Sequence, residues 1–111
     1  MIIAHRGVSF DLPENSLPAF NISWNHAADG IEGDFHLTKD GAIVCIHDED
    51  TGRVCKQNIV VRDSTLKELK ALDLDYKGIE NLQIKIPTLA EVLEILPDGK
   101  KIFIEVKCGS E

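Results

Sequence analysis

The chain has 111 residues, 43% hydrophobic and 28% charged, which excludes disordered and disulfide-scaffold classes and suits one soluble globular domain. Its formal charge is −7, from 19 acidic and 12 basic residues with no basic run, and this excludes nucleic acid or an anionic membrane surface as an expected partner. The length also falls well short of the roughly 250 residues of a complete eight-stranded β/α barrel.

Ile2 to His5 is a short apolar run ending in polar residues, the pattern of a buried strand. Pro13 to Ser16 then carry helix-start signals, with Asn15 or Ser16 as cap and Pro18 tolerated in the first turn. Leu17, Phe20, Trp24, Ala27 and Ala28 follow at helical spacing, and Asp29-Gly30 closes the helix. From Ile31 the period becomes two: Ile31, Gly33, Phe35 and Leu37 share one strand face, and Glu32, Asp34 and His36 the other. Asp40-Gly41 signals a tight turn, after which Ile43 to Ile46 returns as a second strand. Thr51 to Val61 reads as a poorly defined loop with at most a short strand at Ile59 to Val61.

Two helices are announced by capping boxes, Thr65 with Glu68 and Thr88 with Glu91. Leu66, Leu69 and Leu72 line the first; Leu89, Val92, Leu93 and Leu96 line the second, which ends at Pro97-Asp98-Gly99. Ile102 to Val106 is a further strand. Strand and helix alternate, which predicts an α/β protein with a parallel sheet. No run reaches the roughly 18 apolar residues of a membrane-spanning helix. The start, Met-Ile-Ile-Ala-His-Arg-Gly, has no basic region and too short an apolar stretch for a secretory signal. Cys45, Cys55 and Cys108 are scattered and form no C-x-x-C pair, so they read as reduced structural thiols. A cytoplasmic location is the expectation.

The strands carry the chemistry. Glu32 and Asp34, two apart, share a face with side chains roughly 7 Å apart along the strand, where one divalent cation can reach both. Oxygen ligation suits Mg²⁺ or Ca²⁺ better than zinc. For an isolated Glu-x-Asp pair the alternative is a solvated strand face. In the last strand Phe103, Glu105 and Lys107 alternate with Ile102, Ile104 and Val106, placing another carboxylate and an ammonium near a strand end, where parallel sheets build ligand sites. The alternative there is a Glu105–Lys107 pair on an edge strand. His5, followed by Arg6-Gly7, and His47, followed by Asp48, each end a strand. Two histidines supply an acid and a base, and with a cation and Arg6 or Lys107 they suit displacement at phosphorus. His26 and His36 read as structural.

Together these segments resemble a known family. Ile-Ile-Ala-His5-Arg6-Gly7 followed by Leu-Pro13-Glu14-Asn15-Ser16 resembles the opening of the glycerophosphodiester phosphodiesterases. The likeness continues through Ile31-Glu32-Gly33-Asp34-Phe35-His36-Leu37-Thr38-Lys39-Asp40-Gly41, His47-Asp48 and Ile86-Pro87-Thr88-Leu89, and ends with Ile104-Glu105-Val106-Lys107. The resemblance implies a β/α-barrel fold and hydrolysis of glycerophosphodiesters to an alcohol and glycerol 3-phosphate, a step of lipid and glycerol metabolism. It implies Glu32, Asp34 and Glu105 as ligands of Ca²⁺ or Mg²⁺, and His5 and His47 as the acid–base pair. It further implies phosphate contacts from Arg6 and Lys107, with Glu14 in a supporting role near the substrate. The expected fold is therefore the N-terminal portion of a TIM-type (β/α) barrel, residues 1–111 forming a single partial domain. The remaining strands are expected from further sequence, another chain or self-association. Two rivals stand beside it: a sphingomyelinase D-type phospholipase, and a catalytically inactive regulatory fragment of the barrel.

Overall fold

A computed structural model describes residues 3–7, 13–25, 28–75 and 83–107, except the side chains of residues 25 and 107. Ile2, His26, Ala27, Cys108 and the Lys107 side chain therefore lie outside the described residues. The longest strand, β2 (Gly30–Leu37), is the axis of a four-stranded sheet. β1 (Ile3–His5) pairs parallel with its first half, and β3 (Ile43–Cys45) returns antiparallel against its second half. β4 (Lys101–Lys107) runs parallel along β2 from Gly30 to His36. The expected parallel sheet is thus mixed: the Asp40-Gly41 turn folds β3 back as a hairpin, with Gly41 at φ 84°. β3 also stops at Cys45, one residue earlier than expected: the Ile46 N–H still donates to the Asp34 carbonyl, but the Asp34 N–H is taken by Asn15 Oδ1 and does not return the bond.

α1 (Leu17–Asn25) packs on one face of the sheet. Ser16 is its cap, its hydroxyl accepting from the Ala19 N–H at 3.3 Å. Asn15, the other candidate, is turned elsewhere. Both predicted capping boxes form, at α2 (Leu66–Lys70) and α3 (Leu89–Glu94). The helices are one to two turns long. In α3 only Val92 is fully buried, and Leu93, expected on the apolar line, is 45% exposed because it lies one position round from Val92, away from the sheet.

Two apolar clusters result. Phe20, Ile31, Phe35, Cys45 and Val92 fill the space between α1, α3 and the sheet. The second joins Val44 and Ile46 to Cys55, Val61, Leu69, Leu72, Leu74 and Ile86, so the segment after residue 50 has its own core. The short strand suggested at Ile59 to Val61 is an isolated Asp50–Val60 bridge followed by a 3₁₀ turn at Val61–Asp63. The strict alternation expected of β2 also fails: Leu37 is 46% exposed, while Asp34 and His36 are buried. A central strand is covered on both faces, and Leu37 lies at its far end beyond the helices.

Arg6 and Gly7 both take left-handed backbone, at φ 55° and 75°. A Cβ at Gly7 would lie 2.9 Å from the Ala19 carbonyl carbon. Gly7→Ala is expected to destabilise the fold by about 2 kcal/mol or more, read as a lower denaturation midpoint. A midpoint equal to the parent's would contradict this packing.

Candidate functional site

Register assembles the site. His5 lies opposite Glu32, and Asp34 opposite Glu105. Residues opposite one another in parallel strands point to the same face, so three strands bring these side chains together. Glu32, Asp34 and Glu105 each offer a carboxylate oxygen, all within 4.8 Å of one another. Asp34 is 1% exposed. Its Oδ2 accepts from the Asn15 side-chain amide at 3.3 Å and lies 3.2 Å from Arg6 Nε, without hydrogen-bond alignment. Its Oδ1 is buried without a hydrogen-bond partner. A buried carboxylate oxygen of that kind costs desolvation free energy unless something positive meets it. Three oxygen donors and one orphaned buried oxygen fit a hard divalent cation. Burial, then the Asp34 and Glu105 charges, raise the Glu32 pKa above its ordinary value, against the opposing pull of His5.

Basic groups surround the carboxylates. His5 Nδ1 is 2.7 Å from Glu32 Oε1. The Arg6 N–H donates to the Glu32 carbonyl at 2.7 Å, and the Arg6 carbonyl accepts from the Asn15 N–H at 2.8 Å. These bonds hold Arg6 and Asn15, at φ 53°, in their strained conformations. The Asn15 side chain then reaches β2 once more and β3 as well, its Oδ1 accepting from the Asp34 N–H at 3.4 Å and from Cys45 Sγ at 3.3 Å. Sequence spacing offered Asn15 as a helix cap; its role here is to pin Asp34.

His47 Nδ1 is 2.7 Å from Asp48 Oδ1, and the His47 carbonyl lies 3.0 Å from His36 Nε2. That contact agrees with the structural reading of His36. Lys107 faces His36 in the β4 register, by its backbone. Glu14 has both oxygens held by Arg53, at 2.8 and 2.7 Å, with Arg6 Nη1 3.5 Å from one of them. The Arg53 bonds hold Glu14 below the usual carboxylate range, and Arg53 and His47 do the same for Asp48. Arg53 is a residue that sequence reasoning missed: it stands in a loop with no motif, thirty-nine positions from Glu14.

A carboxylate cluster on neighbouring parallel strands, flanked by a histidine and an arginine, marks an α/β protein that gathers charged side chains of both signs on one sheet. The profile of the glycerophosphoryl diester phosphodiesterase family matches residues 5–111, and the chain belongs to that family. A glycerophosphodiester phosphodiesterase of Caldanaerobacter subterraneus is 45% identical over 111 residues, covering 98% of this chain and 46% of the relative. One from Bacillus altitudinis is 39% identical over 107 residues, 96% of this chain and 44% of its own length. The chain thus spans less than half the length of these curated relatives. Among solved structures, an Oleispira antarctica phosphodiesterase in complex with the product sn-glycerol-3-phosphate superposes with a TM-score of 0.90 at 33% identity, over 99% of this chain and 45% of that one. Glycerophosphodiester phosphodiesterase from Thermotoga maritima gives 0.81 at 42% identity, over 96% and 43%. Among the described residues no helix is long and apolar enough to cross a membrane.

Proposed function

We propose that this chain carries the catalytic face of a glycerophosphodiester phosphodiesterase, hydrolysing its substrate to an alcohol and glycerol 3-phosphate. The observation that carries the reading is the convergence of Glu32, Asp34 and Glu105 beside His5 and Arg6, within a chain of that family. Glu32, Asp34 and Glu105 are assigned as ligands of a divalent cation, Ca²⁺ or Mg²⁺. When bound, the cation offsets negative charge on the phosphate. Arg6 and Lys107 bind the phosphate, and Glu14 supports the substrate side of the site by holding Arg6. One of His5 and His47 takes a proton from the nucleophile, which is water or the neighbouring glycerol hydroxyl (water then opening the cyclic phosphate), and the other gives one to the departing alkoxide.

We also assign the chain as a single domain, residues 1–111, forming the first part of a TIM-type barrel in which β1, β2 and β4 are successive parallel strands. Two features support this. Among the described residues β4 is paired along one edge only, and Phe103, Ile104 and Val106 on it are 44%, 43% and 53% exposed. Further strands, from additional sequence, another chain or a second copy, would cover them. The free thiols of Cys45 and Cys55 support a reducing, cytoplasmic setting.

The test is hydrolysis of glycerophosphocholine by the purified chain, alone and with the polypeptide that completes the barrel. Release of glycerol 3-phosphate, abolished by EDTA and restored by Ca²⁺ or Mg²⁺, is expected. No hydrolysis in either preparation overturns the reading.

A further inference from the structure

We propose that Arg53 is a positioning residue for the proton transfers of His47, acting through Asp48 and anchored on Glu14. The inference rests on the reading of His47 as an acid–base group and adds a residue to it. Arg53 Nε donates to Asp48 Oδ2 at 2.9 Å, while Nη1 and Nη2 donate to the two oxygens of Glu14 at 2.8 and 2.7 Å. Every nitrogen of the guanidinium is thereby engaged. The planar fork matches the Glu14 carboxylate in a bidentate pair, which fixes direction as well as distance. Isolated surface ion pairs contribute little, but a bidentate pair joined into a network is the exception.

The consequence falls on His47. With Oδ2 of Asp48 taken by Arg53, Oδ1 is presented to His47 Nδ1 at 2.7 Å. An ionised acceptor there keeps a proton on Nδ1 and leaves Nε2 as the nitrogen that exchanges protons with a substrate. His36 meets the His47 carbonyl, so ring and backbone are held from opposite ends.

The loop that carries Arg53 is built to be rigid. Thr51 is fully buried and closes it five times over: its N–H donates to the Ile59 carbonyl and its hydroxyl to the Gln57 carbonyl, while it accepts from the N–H groups of Ile59, Val54 and Cys55. Such internal closure fits a loop that must deliver one side chain to a fixed place. Glu14 follows the first strand and Asp48 follows the hairpin, so Arg53 ties two loops together.

The experiment uses the full protein and three variants: Arg53→Met, Arg53→Lys and His47→Ala. Steady-state kinetics on glycerophosphocholine are combined with ¹H–¹⁵N correlation spectra that report which ring nitrogen of His47 carries the proton. In Arg53→Met, kcat is expected to fall about tenfold to a hundredfold with KM within about twofold, because the loss is one of orientation rather than binding. The His47 proton is expected to spread from Nδ1 over both ring nitrogens. Lysine keeps the charge but cannot span both carboxylates, so Arg53→Lys is expected to recover only part of kcat, and it carries the test if the methionine variant does not fold. Unchanged kcat, an unchanged Nδ1 proton, or a rise in KM alone overturns the proposal. Retained turnover in His47→Ala would instead overturn the reading of His47 as an acid–base group, on which the proposal rests. The two failures are distinguishable because the ring-proton measurement needs no turnover.

Discussion

Replacing His5 or His47 with alanine is expected to lower turnover of glycerophosphocholine by about 10²–10⁴-fold each, the usual contribution of a positioned acid or base. Cation binding is expected to persist in both variants. His47 is not one of the three converging carboxylates, and its contacts run to Asp48 and His36. His5 does touch the cluster, with Nδ1 2.7 Å from Glu32 Oε1. Its loss frees that oxygen rather than removing a ligand, so affinity for Ca²⁺ is expected to hold or rise. Rates near the parent's in both variants would refute the acid–base assignment. Calorimetric titration with Ca²⁺ on the same preparations separates a proton-transfer defect from a damaged cation site.

The second large effect is expected at Asp34. Asp34→Asn keeps the shape and an acceptor for the Asn15 amide but removes the charge, and divalent-cation affinity is expected to drop on the order of a hundredfold. Titration calorimetry measures it directly. Parental affinity in the variant would show that the cluster is a solvated acidic face. pH gives an independent reading through Glu32, whose pKa is raised by burial and by the Asp34 charge. A ligand carboxyl must be ionised, so cation affinity is expected to weaken as pH falls through that raised value. Stability of the cation-free protein moves the opposite way. Between the ordinary carboxylate pKa and the raised one the folded chain holds more protons than the unfolded chain, so stability declines as pH rises through that window. Added Ca²⁺ is expected to restore the melting temperature above it. A melting temperature indifferent to Ca²⁺ at neutral pH would exclude a cation from the cluster.

What was legible in the sequence was local chemistry. The capping boxes at Thr65 and Thr88 formed as spaced, because a hydroxyl and a carboxylate three residues apart close a helix end with no help from the fold. The Asp40-Gly41 turn is of the same kind. The pairing of Glu32 with Asp34 was legible too, since carboxylates at i and i+2 on a strand share a face whatever surrounds them. The convergence of Glu105 on that pair depends instead on the pairing register of β4, which no local rule supplies. Arg53 was invisible for a related reason. Its partners come from two other loops, and the loop that aims it is closed by Thr51 rather than by a recognisable turn motif. Leu37 and Leu93 misled because hydrophobic spacing says which residues share a face, not how far along an element its cover extends.

The register of β4 on β2 has a consequence for folding. Slipping β4 by one residue would turn Glu105 to the helix-covered face and carry Ile104 toward the carboxylates, since strand side chains alternate. Glu105 lies far along the chain from Glu32 and Asp34, and as the strands close their three negative charges oppose the last step. A divalent cation reverses that opposition, but only in the alignment that places Asp34 opposite Glu105. On the metal-site assignment, the ion would act as a proofreader of strand alignment, its binding free energy widening the gap between the correct sheet and its nearest misaligned neighbours.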